Sequence, residues 1–111
     1  MGEYVRPISA SQSYPTNYGS AQTDTVLWTP GSGKKIALYG AIFSVDTAGN
    51  VFLEIGGGST KIIPALYLPA NGTVGITSGS KPIWVGTANQ TLTYTSSMAG
   101  NNSVLVWGEE I

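Results

Sequence analysis

Cysteine and histidine are both absent from this 111-residue chain. Without cysteine no disulfide staples the fold and no thiol chemistry is available. Without histidine the common nucleophile–base dyads and the usual zinc sites are gone. Charge is scarce too. Only 10% of the residues are Asp, Glu, Lys or Arg, against about a quarter in an ordinary soluble domain. The basic residues are dispersed and the net charge is −1, which argues against nucleic acid, since phosphates need a basic stripe. No apolar run approaches the roughly 20 residues of a membrane span. The opening Met1–Pro7 has no apolar segment of a secretory leader. Gly2 is followed by Arg6 where myristoylation wants Ser or Thr. The expectation is a protein made and kept in a reducing cytosol, or assembled there, with neither nucleic acid nor membrane as partner.

What is present is a β pattern. The chain is 41% hydrophobic, so with so few charges its surface must be built of Thr, Ser, Asn, Gly and aromatics. The longest apolar stretch, Lys34–Asp46, is apolar on both faces of a strand: Ile36, Leu38 and Ile42 alternate with Ala37, Tyr39, Ala41 and Phe43. Gly40 in mid-run and the β-branched and aromatic residues disfavour a helix. Around this central strand, short strands and turn signals follow at close intervals. Thr23–Thr29 ends in the loop Pro30–Gly33, Val51–Ile55 follows a hairpin loop at Asp46–Asn50, and Gly49 there suits a left-handed position. Thr60–Leu68 contains Pro64, which marks an edge strand or a bulge. Thr73–Thr77, Pro82–Val85, Gln90–Thr95 and Ser103–Gly108 complete the set. The prediction is one all-β domain, a jelly-roll-like antiparallel β-sandwich of about eight strands over residues 19–111. Residues 1–18 have no periodicity and are expected to form an extended N-terminal arm, whose Tyr4, Tyr14 and Tyr18 suit ordering on a partner.

Catalytic chemistry is hard to assemble from these residues. Gly31–Lys35 superficially resembles a phosphate-binding loop, but Trp28 and Lys35 stand where the pattern needs Gly and Ser or Thr, and a strand follows instead of a helix. Of the carboxylates, Asp46 sits in a loop with Asn50 as a turn-forming pair, and Glu109 and Glu110 read as a solvated tail. No two acids are visibly paired. The expectation is no enzyme, no cofactor and no metal. Asn71–Thr73, Asn89–Thr91 and Asn101–Ser103 match the glycosylation pattern and read as turns. The informative feature is aromatic placement. The alternation puts Tyr39, Phe52, Tyr67 and Trp84 on the parity opposite the core, a candidate interface for a partner or a second copy. Trp28 and Trp107 read as core or core-edge residues, their N–H groups near strand ends.

The order of elements resembles that of small virion proteins of tailed bacteriophages. The resemblance is carried by the arm, by Thr25-Val-Leu-Trp-Thr-Pro30, by Gly33-Lys-Lys-Ile-Ala-Leu-Tyr-Gly40 and by the closing Ser103-Val-Leu-Val-Trp-Gly-Glu-Glu110. In length and layout the chain is most similar to the capsid decoration, or staple, proteins of epsilon-fifteen-like short-tailed phages. That resemblance implies a jelly roll on the outer surface of the phage head, a homo-oligomer (dimer or trimer) that bridges major capsid protein subunits after assembly. The alternative is a carbohydrate-binding or tail or baseplate receptor-binding module, with outward Trp84 and Tyr67 as platforms for sugar rings.

Overall fold

Alternating apolar residues bounded by Gly, Pro, Asn and Ser give nine strands and no helix among the residues that the computed structural model describes, 11–55, 60–78 and 80–111. They are β1 (Ser11–Tyr18), β2 (Gln22–Trp28), β3 (Ile36–Val45), β4 (Gly49–Ile55), β5 (Thr60–Leu68), β6 (Thr73–Thr77), β7 (Trp84–Val85), β8 (Leu92–Ser96) and β9 (Asn102–Glu110). Two antiparallel sheets form: one in the order β1-β9-β3-β6 with the short β7 also on β3, the other in the order β2-β8-β4-β5. With β7 set aside, successive strands are shared between the sheets in the wrapped order of a jelly roll, the sandwich expected from the sequence.

The core lies between the sheets. Ile36, Leu38, Ala41, Phe43, Val104 and Val106 from the first sheet meet Trp28, Val51, Leu53, Leu92 and Tyr94 from the second. Phe43 and Tyr94 stack across the interior with ring centroids 6.2 Å apart. Burying such side chains stabilises the fold by roughly 1.5–3 kcal/mol each. Two polar fastenings also join the sheets, both from β9. At one end the buried Asn102 accepts hydrogen bonds at Oδ1 from Tyr94 Oη (2.8 Å) and Ser96 Oγ (3.0 Å). Its Nδ2 donates to the Ser20 and Gly100 carbonyls, so every polar atom of the amide is used. At the other end Trp28 Nε1 donates to Glu110 Oε2 at 2.8 Å, and the Gly31 amide donates to Glu110 Oε1 at 3.0 Å.

A bulge explains why Lys34–Asp46 is apolar on both faces. β3 and β9 pair Leu38 with Gly108 and then Gly40 with Trp107, leaving Tyr39 as an extra residue. One inserted residue reverses the phase of the strand. Ile36 and Leu38 therefore face the core before the bulge, as do Ala41, Phe43 and Val45 after it, while Ile42 turns out and is 38% exposed.

Several expectations change. Residues 11–18 are not an arm. β1 pairs with β9 along its whole length, and Tyr14 and Tyr18 pack against the core. Tyr14 lies 5.0 Å from Trp28 and Tyr18 stacks at 5.8 Å on Tyr94, centroid to centroid. Ser13, Pro15 and Asn17 of this strand face outward, which hid its alternation. Asp46–Asn50 is not a hairpin loop, because β3 and β4 lie in different sheets and the segment crosses between them. Gly49 is not left-handed; a Cβ there would meet Ser97 Oγ at 2.9 Å and Met98 at 3.0 Å. Glu109 and Glu110 are no solvated tail, since both lie in β9 and Ile111 extends the pairing to Lys35. Asn71 and Asn89 do occupy left-handed turn positions, with φ of 60° and 67°. Pro64 does sit on an edge strand with irregular register.

Candidate interaction surface

The outer face of the first sheet follows from the register. Its middle row is Pro15, Leu105, Ile42 and Gly75. The next row is Ser13, Trp107, Gly40 and Thr77, and on the other side lie Asn17, Ser103, Ser44 and Thr73. None of these residues is charged. Gly40 matters here because Trp107 lies across it: a Cβ at Gly40 would stand 2.0 Å from the indole ring. The missing side chain lets the indole lie against the sheet, half-buried. Trp107 is therefore an outer-face residue rather than the core or core-edge residue that its sequence suggested. Val104, Val106 and Gly108 take the inward parity of β9, and Trp107 takes the outward one.

At the loop end of this face lies a cleft of about 590 Å³, within the range of small-ligand sites. Asn17, Asn71, Asn101 and Asn102 line it with Asp46, Ser44 and Ser103, and Tyr18 and Val45 contribute apolar wall. Asn102 is committed to the sheet fastening and holds the wall in place. Asp46 Oδ1 accepts from Thr47 Oγ1 at 2.7 Å. No lysine or arginine lines the cleft, so a neutral polar ligand suits it better than an anion.

The aromatics singled out in the sequence do not come together. Tyr4 lies outside the described residues. Tyr14 and Tyr18 are inside the sandwich. Trp84 pairs with Leu38 on the inward parity and packs against the core. Tyr39 belongs to the first sheet, where its hydroxyl donates to Glu109 Oε2 at 3.0 Å. Phe52 and Tyr67 belong to the second sheet, on opposite sides of the molecule from Tyr39. Phe52 carries the Lys61 ammonium 4.7 Å above its ring, a cation–π contact. Tyr67 is 68% exposed. The alternation placed Phe52 and Tyr67 outward correctly, but it could not tell which sheet owns each strand.

Sequence reading also missed an acid pair. On the outer face of the second sheet, Thr95 Oγ1 donates to Glu54 Oε1 at 2.5 Å and lies 3.4 Å from Asp24 Oδ1. Glu54 points away from the core yet is only 5% exposed. Burial pushes its carboxyl above the ordinary value, and the Asp24 carboxylate adds to the rise against the opposing pull of Thr95 and Lys61. Asp24 reaches Glu54 through a bulge in β2, where it takes φ 49° and donates its amide to Thr95 Oγ1 at 3.0 Å. Nothing in the local sequence announces that bulge. Among the described residues no group of three or more Asp, Glu, His or Cys forms a metal-binding cluster. No protein-family profile and no curated protein sequence matches this chain.

Proposed function

We infer that this chain is a structural binding protein of a phage head: a decoration protein that lays the outer face of the β1-β9-β3-β6 sheet on major capsid protein subunits and bridges them. The observation that supports the reading is the uncharged, partly apolar centre of that face, with Trp107 flat over Gly40 beside Leu105 and Ile42. Charge depletion with an aromatic anchor is the composition of an interface core. A rigid sheet face also loses little conformational entropy on docking. Each copy offers modest area, and a homo-oligomer that touches two subunits gains through effective concentration. Binding only the assembled shell stabilises that shell by mass action.

The test uses capsids stripped of the protein. They should assemble but release DNA at a lower temperature, and purified protein added back should restore the limit at a fixed ratio to capsid subunits. Stripped capsids as heat-resistant as decorated ones would refute the proposal. The cleft of asparagine side chains supports a second reading, a carbohydrate-binding module, because amides and a carboxylate can match both donors and acceptors of sugar hydroxyls. Retention on a glycan array without co-sedimentation with capsids would favour it.

A further inference from the structure

The outer face of the second sheet gathers oxygen atoms that neither reading uses. Asp24 comes from β2, Thr93 and Thr95 from β8, and Glu54 from β4, three adjacent strands. Two carboxylates turned onto one hydroxyl repel each other unless a shared proton or a cation lies between them. Lys61, directly across from Glu54 in the β4–β5 register, places its ammonium over the Phe52 ring.

A second observation is independent of the acids. Thr93 is completely buried, and its hydroxyl oxygen has no hydrogen-bond partner among the described residues. In register it stands directly across from Glu54 on one side and Val26 on the other, so its side chain shares the outer face with the Glu54 carboxylate. Folded proteins rarely leave a buried hydroxyl unsatisfied, and an exception calls for a missing partner. A valine would fill the same space without the cost of desolvating an oxygen.

We propose that Asp24, Glu54, Thr93 and Thr95 form a binding site for a hard divalent cation, Ca²⁺. Every donor is oxygen, which suits calcium or magnesium and disfavours softer metals that seek nitrogen or sulfur. Two acidic side chains match the charge of the ion, and the two hydroxyls are neutral ligands. Asp24 is exposed, so water can complete the shell from that side. The donors come from three strands at irregular spacing, which suits the tolerant coordination of calcium better than the strict octahedron of magnesium. The ion would tie β2 to β4 across β8, the outer counterpart of the Asn102 fastening inside. Because the donors converge only in the folded chain, binding stabilises the fold.

Calorimetric titration of the metal-free full chain with CaCl₂ tests this, alongside thermal unfolding in CaCl₂, MgCl₂ and NaCl at matched ionic strength. Expected are one saturable site per chain and a Tm that rises with Ca²⁺ more than with either control. Glu54→Gln and Asp24→Asn should each weaken Ca²⁺ binding by about tenfold or more. Thr93→Val should weaken binding while leaving the metal-free Tm equal or higher. Should Glu54→Gln fail to fold, the exposed Asp24→Asn decides the matter. The proposal is overturned by the absence of saturable heat up to about 10 mM Ca²⁺, a concentration weaker than any specific module needs. It is equally overturned by a Tm rise that NaCl reproduces, or by wild-type affinity in Asp24→Asn.

Discussion

The two sheets contribute alike to the core and differ on the outside. The first presents Trp107, Leu105, Ile42 and Pro15 among Ser, Thr, Asn and Gly, with Glu109 held by Tyr39 and Asp46 set at the loop end. The second presents Asp24, Glu54, Lys61 and the threonines of β8, with Phe52 under the lysine. One face can shed its water cheaply and suits a broad partner. The other holds charges that are costly to desolvate under such a partner. The comparison teaches that apolar content alone does not mark an interface. Val26 and Tyr67 on the second sheet are 53% and 68% exposed, more than Ile42 at 38%, yet they stand apart, Val26 across from Thr93 in β8 and Tyr67 across from Asn50 in β4.

The largest effect is expected at the join between the faces. Asn102→Ala removes the acceptor shared by Tyr94 and Ser96 and leaves both hydroxyls buried, at a cost of about 3 kcal/mol or more than 10 °C in Tm. Calorimetry checks this. A loss below about 1 kcal/mol would mean that apolar packing alone holds the two sheets together.

Alkali should loosen the same join. Burial pushes the Tyr94 hydroxyl up to about 12 from 10.0, the Tyr18 hydroxyl adding to the rise and Ser96 opposing it. The unfolded phenol loses its proton first as the pH passes 10, so the unfolded state gains relative to the folded one. Stability present below pH 10 therefore falls between about pH 10 and 12, by on the order of 2–3 kcal/mol. Denaturant midpoints measured across that window should slope downward in the native chain, and Tyr94→Phe should flatten the slope.

A smaller stability effect, with a larger one on binding, separates the two outer faces. Gly40→Ala displaces the Trp107 ring, which can swing away into solvent, so stability should drop by about 1–2 kcal/mol. Under the proposed decoration role, capsid association should weaken by about tenfold, as for loss of an aromatic anchor. The smallest stability effects come from paired surface changes. Ile42→Ser and Val26→Ser should each move stability by no more than about 0.5 kcal/mol. Ile42→Ser alone should reduce co-sedimentation with capsids. Equal losses from both would put the partner on neither sheet face in particular.

Composition and alternation by themselves determined that this chain is an all-β sandwich. Period-two patterns in Val51–Ile55, Leu92–Ser96 and Val104–Gly108 survive folding because on each strand one parity faces the core and the other faces away from it. Turn signals survived too, since Asn71 and Asn89 adopt left-handed geometry for local reasons. Tertiary structure decided the rest wherever neighbours distant in sequence set the outcome. The bulge at Tyr39 exists only because β9 pairs on both sides of it, and that pairing sends Ile42 outward. Trp107 can lie flat only because Gly40 stands opposite it. Residues 11–18 look like a loose segment until β9 supplies hydrogen bonds and the core accepts Tyr14 and Tyr18. Asp24 and Glu54 meet because a single strand, β8, lies between theirs and the bulge in β2 carries Asp24 across it. Periodicity records which way a side chain points along its own strand; it holds no information about which strand lies beside it, and long-range pairing supplies that.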